Sequence, residues 1–263
     1  MKRNALFALA AAGLLSLAGM TTNLFAEDKP AEELKMLNTP KADLPAPDAD
    51  GFITIFNGKD LTYWDGLADY WDVQDGAIRA HEEKAKSKQT FLVFQPRNVT
   101  DFELHLKFKF NTKEGNSGIQ FRSKIQDPKT SKVQGYQADF DAGNGYTGII
   151  YDEAGGAGGR AIMSKRGEKT HWDAENKRTA EPLEKNDADI KKDIKVGDWN
   201  DVVLIVQGNH VKYSINGTTT TEMTDESPKA VKEGVMALQC HAGFTMDILF
   251  KDIKIKFLDG DKK

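Results

Sequence analysis

The chain has 263 residues, a formal net charge of -4 and 39% hydrophobic residues, enough to bury one substantial core in a domain of ordinary size. Lysines and acids are interspersed along it, which excludes the basic stripe of a nucleic-acid binder. Its one cysteine, Cys240, excludes an internal disulfide, so stability must come from packing rather than covalent staples.

Residues 1–26 read as a Sec-type export signal. Lys2 and Arg3 precede a short apolar run over 5–18, and Leu24-Phe25-Ala26 ends in the small residue that signal peptidases prefer. Cleavage after Ala26 would leave a periplasmic or extracellular protein. The run is too short and alanine-rich for a membrane span, and no later stretch approaches the roughly 20 apolar residues that a span needs. Residues 27–50, rich in Pro, Ala, Asp and Glu, read as a tether or poorly ordered lead-in, and the folded domain is expected over 51–260.

Strand signals begin at once. A short apolar strand over 52–56 ends at Asn57-Gly58, and 71–80 is a hairpin turning at Asp75-Gly76, a pair suited to positive φ. Residues 90–94 form another apolar strand. Over 101–110, Phe102, Leu104, Leu106, Phe108 and Phe110 alternate with Glu103, His105, Lys107 and Lys109, the pattern of a long half-buried core strand.

Residues 116–160 concentrate unusual polar residues on one parity. In NSGIQFR, Ser117, Ile119 and Phe121 oppose Gly118, Gln120 and Arg122; in GYQADFD, Tyr136, Ala138 and Phe140 oppose Gln137, Asp139 and Asp141. A guanidinium, two amides and two carboxylates on neighbouring strands suit a polyhydroxylated ligand, whose hydroxyls match their planar or bidentate hydrogen bonding. A merely solvated outer face is the alternative. The glycines at 155–159 before Arg160 lack the Gly-Lys-Ser/Thr ending of a phosphate loop and read as a flexible rim.

The segment 161–196 is charged and poor in apolar residues, and reads as an insertion with one helical stretch near 180–194. Strands resume over 199–206, turn at Gly208-Asn209, continue through Val211, Tyr213 and Ile215, and turn again at Asn216-Gly217. In 234–241, Gln239 and His241 face together. Along 246–257 the apolar parity changes from Met246, Ile248 and Phe250 to Ile253, Ile255 and Phe257, which requires a bulge or bend at Lys251-Asp252. Ten to twelve short strands without a long helix imply an all-β sandwich or jelly roll of two packed antiparallel sheets.

Taken together, GFITIFNGKDLTYW, WDVQDGAI, DFELHLKFKF, NSGIQFRS, GYQADF, YTGIIYDE, WND and LQCHAGFTMDILFKDIKIKFL resemble the 3-keto-disaccharide hydrolase domain family over about residues 50–258. The order and spacing of these motifs carry the resemblance. It implies a concanavalin A-like jelly roll and, as activity, 3-keto-glucoside 1,2-lyase and 3-keto-2-hydroxy-glucal hydratase chemistry on a 3-keto-sugar. Many relatives carry a glutamate where this chain has Gln137, which moves the search for a base to Asp139 and Glu153.

That chemistry needs a base for the carbon-2 proton, a group for the enolate oxygen and an acid for the leaving oxygen. Asp139, Glu153 and His241 are the base and acid candidates. Asn116, Gln120, Arg122, Gln137, Tyr151, Arg160 and Gln239 are the polarising or hydroxyl-binding ones. His241 also fits a satisfied wall histidine, and Asn116-Ser117-Gly118 the start of a strand. No cofactor is required, although Asp139, Asp141, Asp152 and Glu153 offer oxygen ligands that a divalent cation such as Ca²⁺ accepts. Two other functions fit such a fold: a non-catalytic lectin-like carbohydrate-binding module, and a conventional jelly-roll glycoside hydrolase, whose two glutamates on one strand are not found here. The oligomeric state is not legible.

Overall fold

The computed structural model describes residues 34–83, 88–153 and 159–259. The export signal, residues 27–33 of the lead-in and residues 155–158 of the rim lie outside the described residues. In chain order the elements are β1 (Ile53–Thr54), β2 (Trp64–Asp65), β3 (Trp71–Gln74), β4 (Ala77–Glu82), β5 (Thr90–Phe94), β6 (Phe102–Phe110), β7 (Asn116–Asp127), β8 (Lys132–Asp141), β9 (Ile150–Glu153), β10 (Ala161–Ser164), β11 (Glu168–Trp172), β12 (Arg178–Pro182), α1 (Asp187–Asp193), β13 (Asn200–Gln207), β14 (His210–Ile215), β15 (Thr218–Asp225), β16 (Val235–Cys240) and β17 (Met246–Phe257).

They build two packed sheets. One runs β12-β11-β15-β14-β13-β6-β17-β4-β3, with β1 beside β17; the other runs β10-β9-β8-β7-β16-β5-β2. All pairings are antiparallel except β11 with β15. The alternation of β6 sets the core, because its five large apolar side chains all point inward and are buried. Each contributes about 1.5 to 3 kcal/mol by leaving water. Phe108 stacks on Phe140 of β8 with ring centroids 4.1 Å apart, so the long strands of the two sheets meet through aromatic rings.

Turn chemistry places the strands as expected. Asp75 and Gly76 have φ of 52° and 73°, and Asn216 and Gly217 have φ of 49° and 79°, the paired positive values of a tight hairpin. The parity change in β17 is a bulge: Asp252 has φ of 53°, and the register against β6 slips between Lys251 and Lys254. Ile248, Phe250, Ile253 and Ile255 are consequently all buried.

Three expectations need correction. Seventeen strands, not ten to twelve, occur among the described residues, because several edge strands have only two to five residues. The lead-in is docked from Leu34 onward: Leu37 N donates to Gly66 O at 2.9 Å, Ala68 N to Lys35 O at 2.8 Å, and Leu34, Met36, Leu37 and Leu44 pack against the core. Finally, 161–196 is part of the sandwich. β10 borders one sheet, β11 and β12 border the other, and Met163, Trp172, Ile190 and Ile194 enter the core. These few apolar residues are spaced at edge-strand and helix positions, so charge on the exposed side masks them in the sequence. The helix is shorter than expected, with Asn186 capping it by accepting from Asp189 N.

Candidate functional site

Strands β9, β8, β7 and β16 are neighbours, and outward side chains of the first three, with two adjoining turns, line a groove of about 470 Å³. Gln137, Asp139 and Asp141 enter it from alternate positions of β8, and Asn116 from the start of β7. Tyr151 and Glu153 come from β9, Tyr146 from the loop between β8 and β9, and His241 and Phe244 from the turn between β16 and β17. Register explains the gathering: Gln120, Gln137 and Tyr151 stand opposite one another across three strands, as do Gly118 and Asp139.

Beneath the groove lies a chain of amides. Ser123 Oγ donates to Gln120 Oε1 at 2.7 Å, and Gln120 Nε2 donates to Gln137 Oε1. Gln137 Nε2 uses both hydrogens, on Asp139 Oδ1 at 3.0 Å and on Gln239 Oε1 at 3.1 Å. Gln239 Nε2 donates to Glu153 Oε2 at 3.2 Å, and Gln89 Nε2 to Glu153 Oε1 at 2.6 Å. Gly118 makes this possible. A Cβ there would lie 2.6 Å from Gln137 Cγ, so only a residue without a side chain lets Gln137 cross β7 to Gln239.

Asp139 is the centre of this arrangement. It is 4% exposed, and its Oδ1 accepts from Gln137 and, at 3.1 Å, from Asn116 Nδ2. Burial penalises its charged form and raises its pKa from 3.8 to about 8; Glu153 and Asp141 push the same way, and the two amide hydrogen bonds oppose them. Such a carboxyl exchanges a proton near neutral pH. Tyr213, from the opposite sheet, donates its hydroxyl to the Asp139 carbonyl at 3.2 Å and fixes the backbone. His241 is oriented as well: Nδ1 lies 2.7 Å from the Ala242 carbonyl, which can only accept, so Nδ1 carries the proton and Nε2 is left for a ligand. The Tyr151 phenol is held above its ordinary pKa by burial and by Glu153 and Asp139.

The structure thus brings together Asp139, Glu153, His241, Asn116, Gln137 and Tyr151 of the sequence-derived candidates. Gln120 and Gln239 are fully buried and hold the groove residues rather than line the groove. Arg122 is not in the groove. It has φ of 48° where the register with β8 slips, and this bulge breaks the alternation that placed it beside Gln120. Its guanidinium, 3% exposed, donates to the carbonyls of Thr100 at 2.8 Å and Gly208 at 2.7 Å, and pairs with Asp101 at 2.8 Å.

Arg160 is likewise a structural cation. It pairs with Asp225 at 2.6 Å, donates to Ser227 Oγ at 2.9 Å, and lies over the Trp172 ring. Asp152 stands on the other parity of β9, opposite Tyr136, where it accepts from Arg160 N at 2.9 Å. The four-carboxylate cation site therefore does not assemble, and no group of three or more His, Cys, Asp or Glu suited to a metal occurs among the described residues.

Tyr146, Phe244 and Gln89 were missed. Tyr146 sits in a glycine-rich turn and Phe244 in the turn after His241, where an aromatic residue is a legible sign of a rim. Nothing marked Gln89.

The model of the 3-keto-alpha-glucoside-1,2-lyase-like domain matches residues 51–256. A Bacteroides thetaiotaomicron protein named 3-keto-disaccharide hydrolase is 34% identical over 98 residues, which is 34% of this chain and 33% of that protein. The match thus spans about a third of that relative. Two crystal structures from Parabacteroides distasonis, each described as a candidate glycosyl hydrolase, share the fold. One has a TM-score of 0.52 at 19% identity, covering 80% of this chain and 95% of its own. The other has 0.51 at 20%, covering 79% and 99%.

Proposed function

This chain belongs to the 3-keto-alpha-glucoside-1,2-lyase-like domain family, and from that premise we propose that its groove cleaves 3-keto-glycosides by elimination across carbons 1 and 2, followed by hydration. The observation that carries the reading is Asp139, a buried carboxyl in the groove with a pKa raised to about 8. An ordinary aspartate is a weak base toward carbon. Raising its pKa strengthens it while keeping part of it ionised near neutral pH, where a general base works best.

In the first step the Asp139 carboxylate takes the carbon-2 proton and the electrons move into the carbon-3 ketone as an enolate. The enolate then expels the carbon-1 oxygen substituent, forming the carbon-1 to carbon-2 double bond. The leaving oxygen takes its proton from His241 in the imidazolium form, in which Nε2 carries the transferred proton while Nδ1 stays bonded to the Ala242 carbonyl. The amide of Asn116 and the phenol of Tyr151 are the neutral donors for the enolate, in place of Arg122. Water then adds at carbon 1 and the proton returns to carbon 2, which completes net hydrolysis. The ketone is the electron sink, so the route needs no cofactor.

The reading includes export. Residues 1–26 would direct the protein to the periplasm or beyond, leaving residues 51–260 as the folded domain with 34–50 packed on it. No helix of the described residues is long and apolar enough to cross a membrane. Turnover of a 3-keto-glucoside in heavy water tests the chemistry. Deuterium at carbon 2 of the product, above the exchange of product incubated alone, is expected. Turnover without it, or equal turnover of the unoxidised glucoside, would overturn the proposal.

A further inference from the structure

We propose that Tyr146 is the stacking platform of a second subsite, which receives the ring of the leaving group and makes the groove selective for glycosides with a ring aglycone. Tyr146 is 51% exposed and lines the groove, so its ring offers a ligand there an apolar face with a polar tip. It is close enough to Tyr151 to act electrostatically on that phenol, so it adjoins the residues that hold the first ring without belonging to the floor that carries Asp139.

The loop that carries Tyr146 is built to hold it still. Thr147 Oγ1 accepts from Asp141 N at 2.8 Å and donates to Asp141 O at 2.9 Å, and Gly145 N donates to Asp141 Oδ1 at 2.9 Å. From outside the loop, the buried guanidinium of Arg166 donates to the carbonyls on both sides of Tyr146, those of Gly145 and Thr147. Arg166 is itself braced by Asp187 of α1 at 2.7 Å, and Asn144 Nδ2 donates to the Lys191 carbonyl of the same helix at 3.2 Å. A half-exposed ring on a loop clamped from two elements costs little entropy when it binds, which is the economy of a recognition platform. The segment 161–196 thereby gains a role at the groove: it supports this rim.

The ring received presents a flat apolar face, either the C–H face of a pyranose or an aryl group. The inference rests on the groove being a glycoside site, but not on the elimination chemistry, so unreactive ligands test it. Methyl α-glucoside, maltose and 4-nitrophenyl α-glucoside are titrated by calorimetry into wild type, Tyr146→Phe and Tyr146→Ala. Wild type and Tyr146→Phe should bind at least one of the two ring-bearing ligands roughly three- to tenfold more tightly than the methyl glucoside, the range of one aromatic stacking contact. Tyr146→Ala should lose that preference. Which ligand gains distinguishes a sugar aglycone from an aryl one. Equal affinities in wild type, including no detectable binding of either ring-bearing ligand, or a preference retained in Tyr146→Ala, would overturn the subsite. A protein that shows the preference yet fails to turn over a 3-keto-glucoside would keep the subsite and lose the proposed chemistry.

Discussion

The high pKa of Asp139 has an energetic consequence as well as a chemical one. Between its ordinary value of 3.8 and about 8, the folded protein holds a proton that the unfolded chain has released. Stability therefore falls as pH rises through that window, by at most about 1.4 kcal/mol per unit, and the penalty is absent below roughly pH 4. Asp139→Asn keeps an acceptor for Asn116 and Gln137 but has no charge to bury. Its melting temperature should exceed that of wild type at pH 8 and above, and the two should converge near pH 4.5, while turnover drops by about 10²- to 10⁴-fold. A less stable variant at high pH would show that Asp139 is not a strained carboxyl, and one that keeps its activity would show that it is not the base. Wild-type kcat/KM should rise with pH to an apparent pKa near 8. Arg122→Ala gives the contrast: it should lose roughly 3 kcal/mol in denaturant unfolding, because Asp101 loses its ion-pair partner and the carbonyls of Thr100, Gly208 and Val231 lose a donor, with kcat little changed.

At the scale of elements, the groove depends on an absence in β7. Gly118→Ala puts a methyl 2.6 Å from Gln137 Cγ and 2.7 Å from the Ala138 carbonyl, so Gln137 must leave its bonds to Gln239 and Asp139. A stability loss of about 1 to 3 kcal/mol is expected, together with an activity loss and a shifted pH profile for turnover, since an amide that steadies the Asp139 carboxylate is gone. An unchanged pH profile would mean that the amide chain is only structural.

The same strand marks where reading alternation works and where it stops. Period 2 put Gln137 and Asp139 together because β8 carries that pair without interruption, whereas His241 lies past the end of β16, in the turn, and Gln239 is buried beneath the groove. It misplaced Arg122 because the bulge there leaves no hydrophobic trace, unlike the bulge of β17, where buried Ile253 and Ile255 reveal the change of parity. The edge strand β12 and its neighbour β11 were illegible for a related reason. Their solvent face is polar, so in β11 Glu168, Lys169 and His171 surround Thr170 and Trp172, the two buried residues, and hide the alternation.

For the whole molecule, the sandwich was legible because its long central strands alternate over many residues, and because the turns between them carry residues that tolerate positive φ. The groove was legible only in part, since three strands and two turns contribute to it and no local pattern registers their meeting. The outer face of the ten-stranded sheet carries both signs of charge, Lys107 for example lying beside Asp201 and Asp252. Lys109 and Lys251 lie over Trp199, and Lys254 near Phe52, all on the outer side of the ten-stranded sheet. The groove, on the outer side of the seven-stranded sheet, is lined by Asp139, Asp141 and Glu153, with no lysine or arginine among its described lining residues. A 3-keto-glycoside with a carboxylate at carbon 6 would meet these acids within one ring's width. At an effective dielectric near 20, repulsion from a single carboxylate at such range costs about 1 to 3 kcal/mol, so kcat/KM for the uronate should be roughly tenfold or more below that of the neutral glycoside. Because the groove is open to solvent, the gap should narrow as salt rises from 0.02 to 0.5 M, across which the Debye length falls from about 20 Å to about 4 Å. A gap that stays constant with salt would trace the discrimination to shape, and equal rates on both substrates would mean that the acids of the groove do not face the sugar at all.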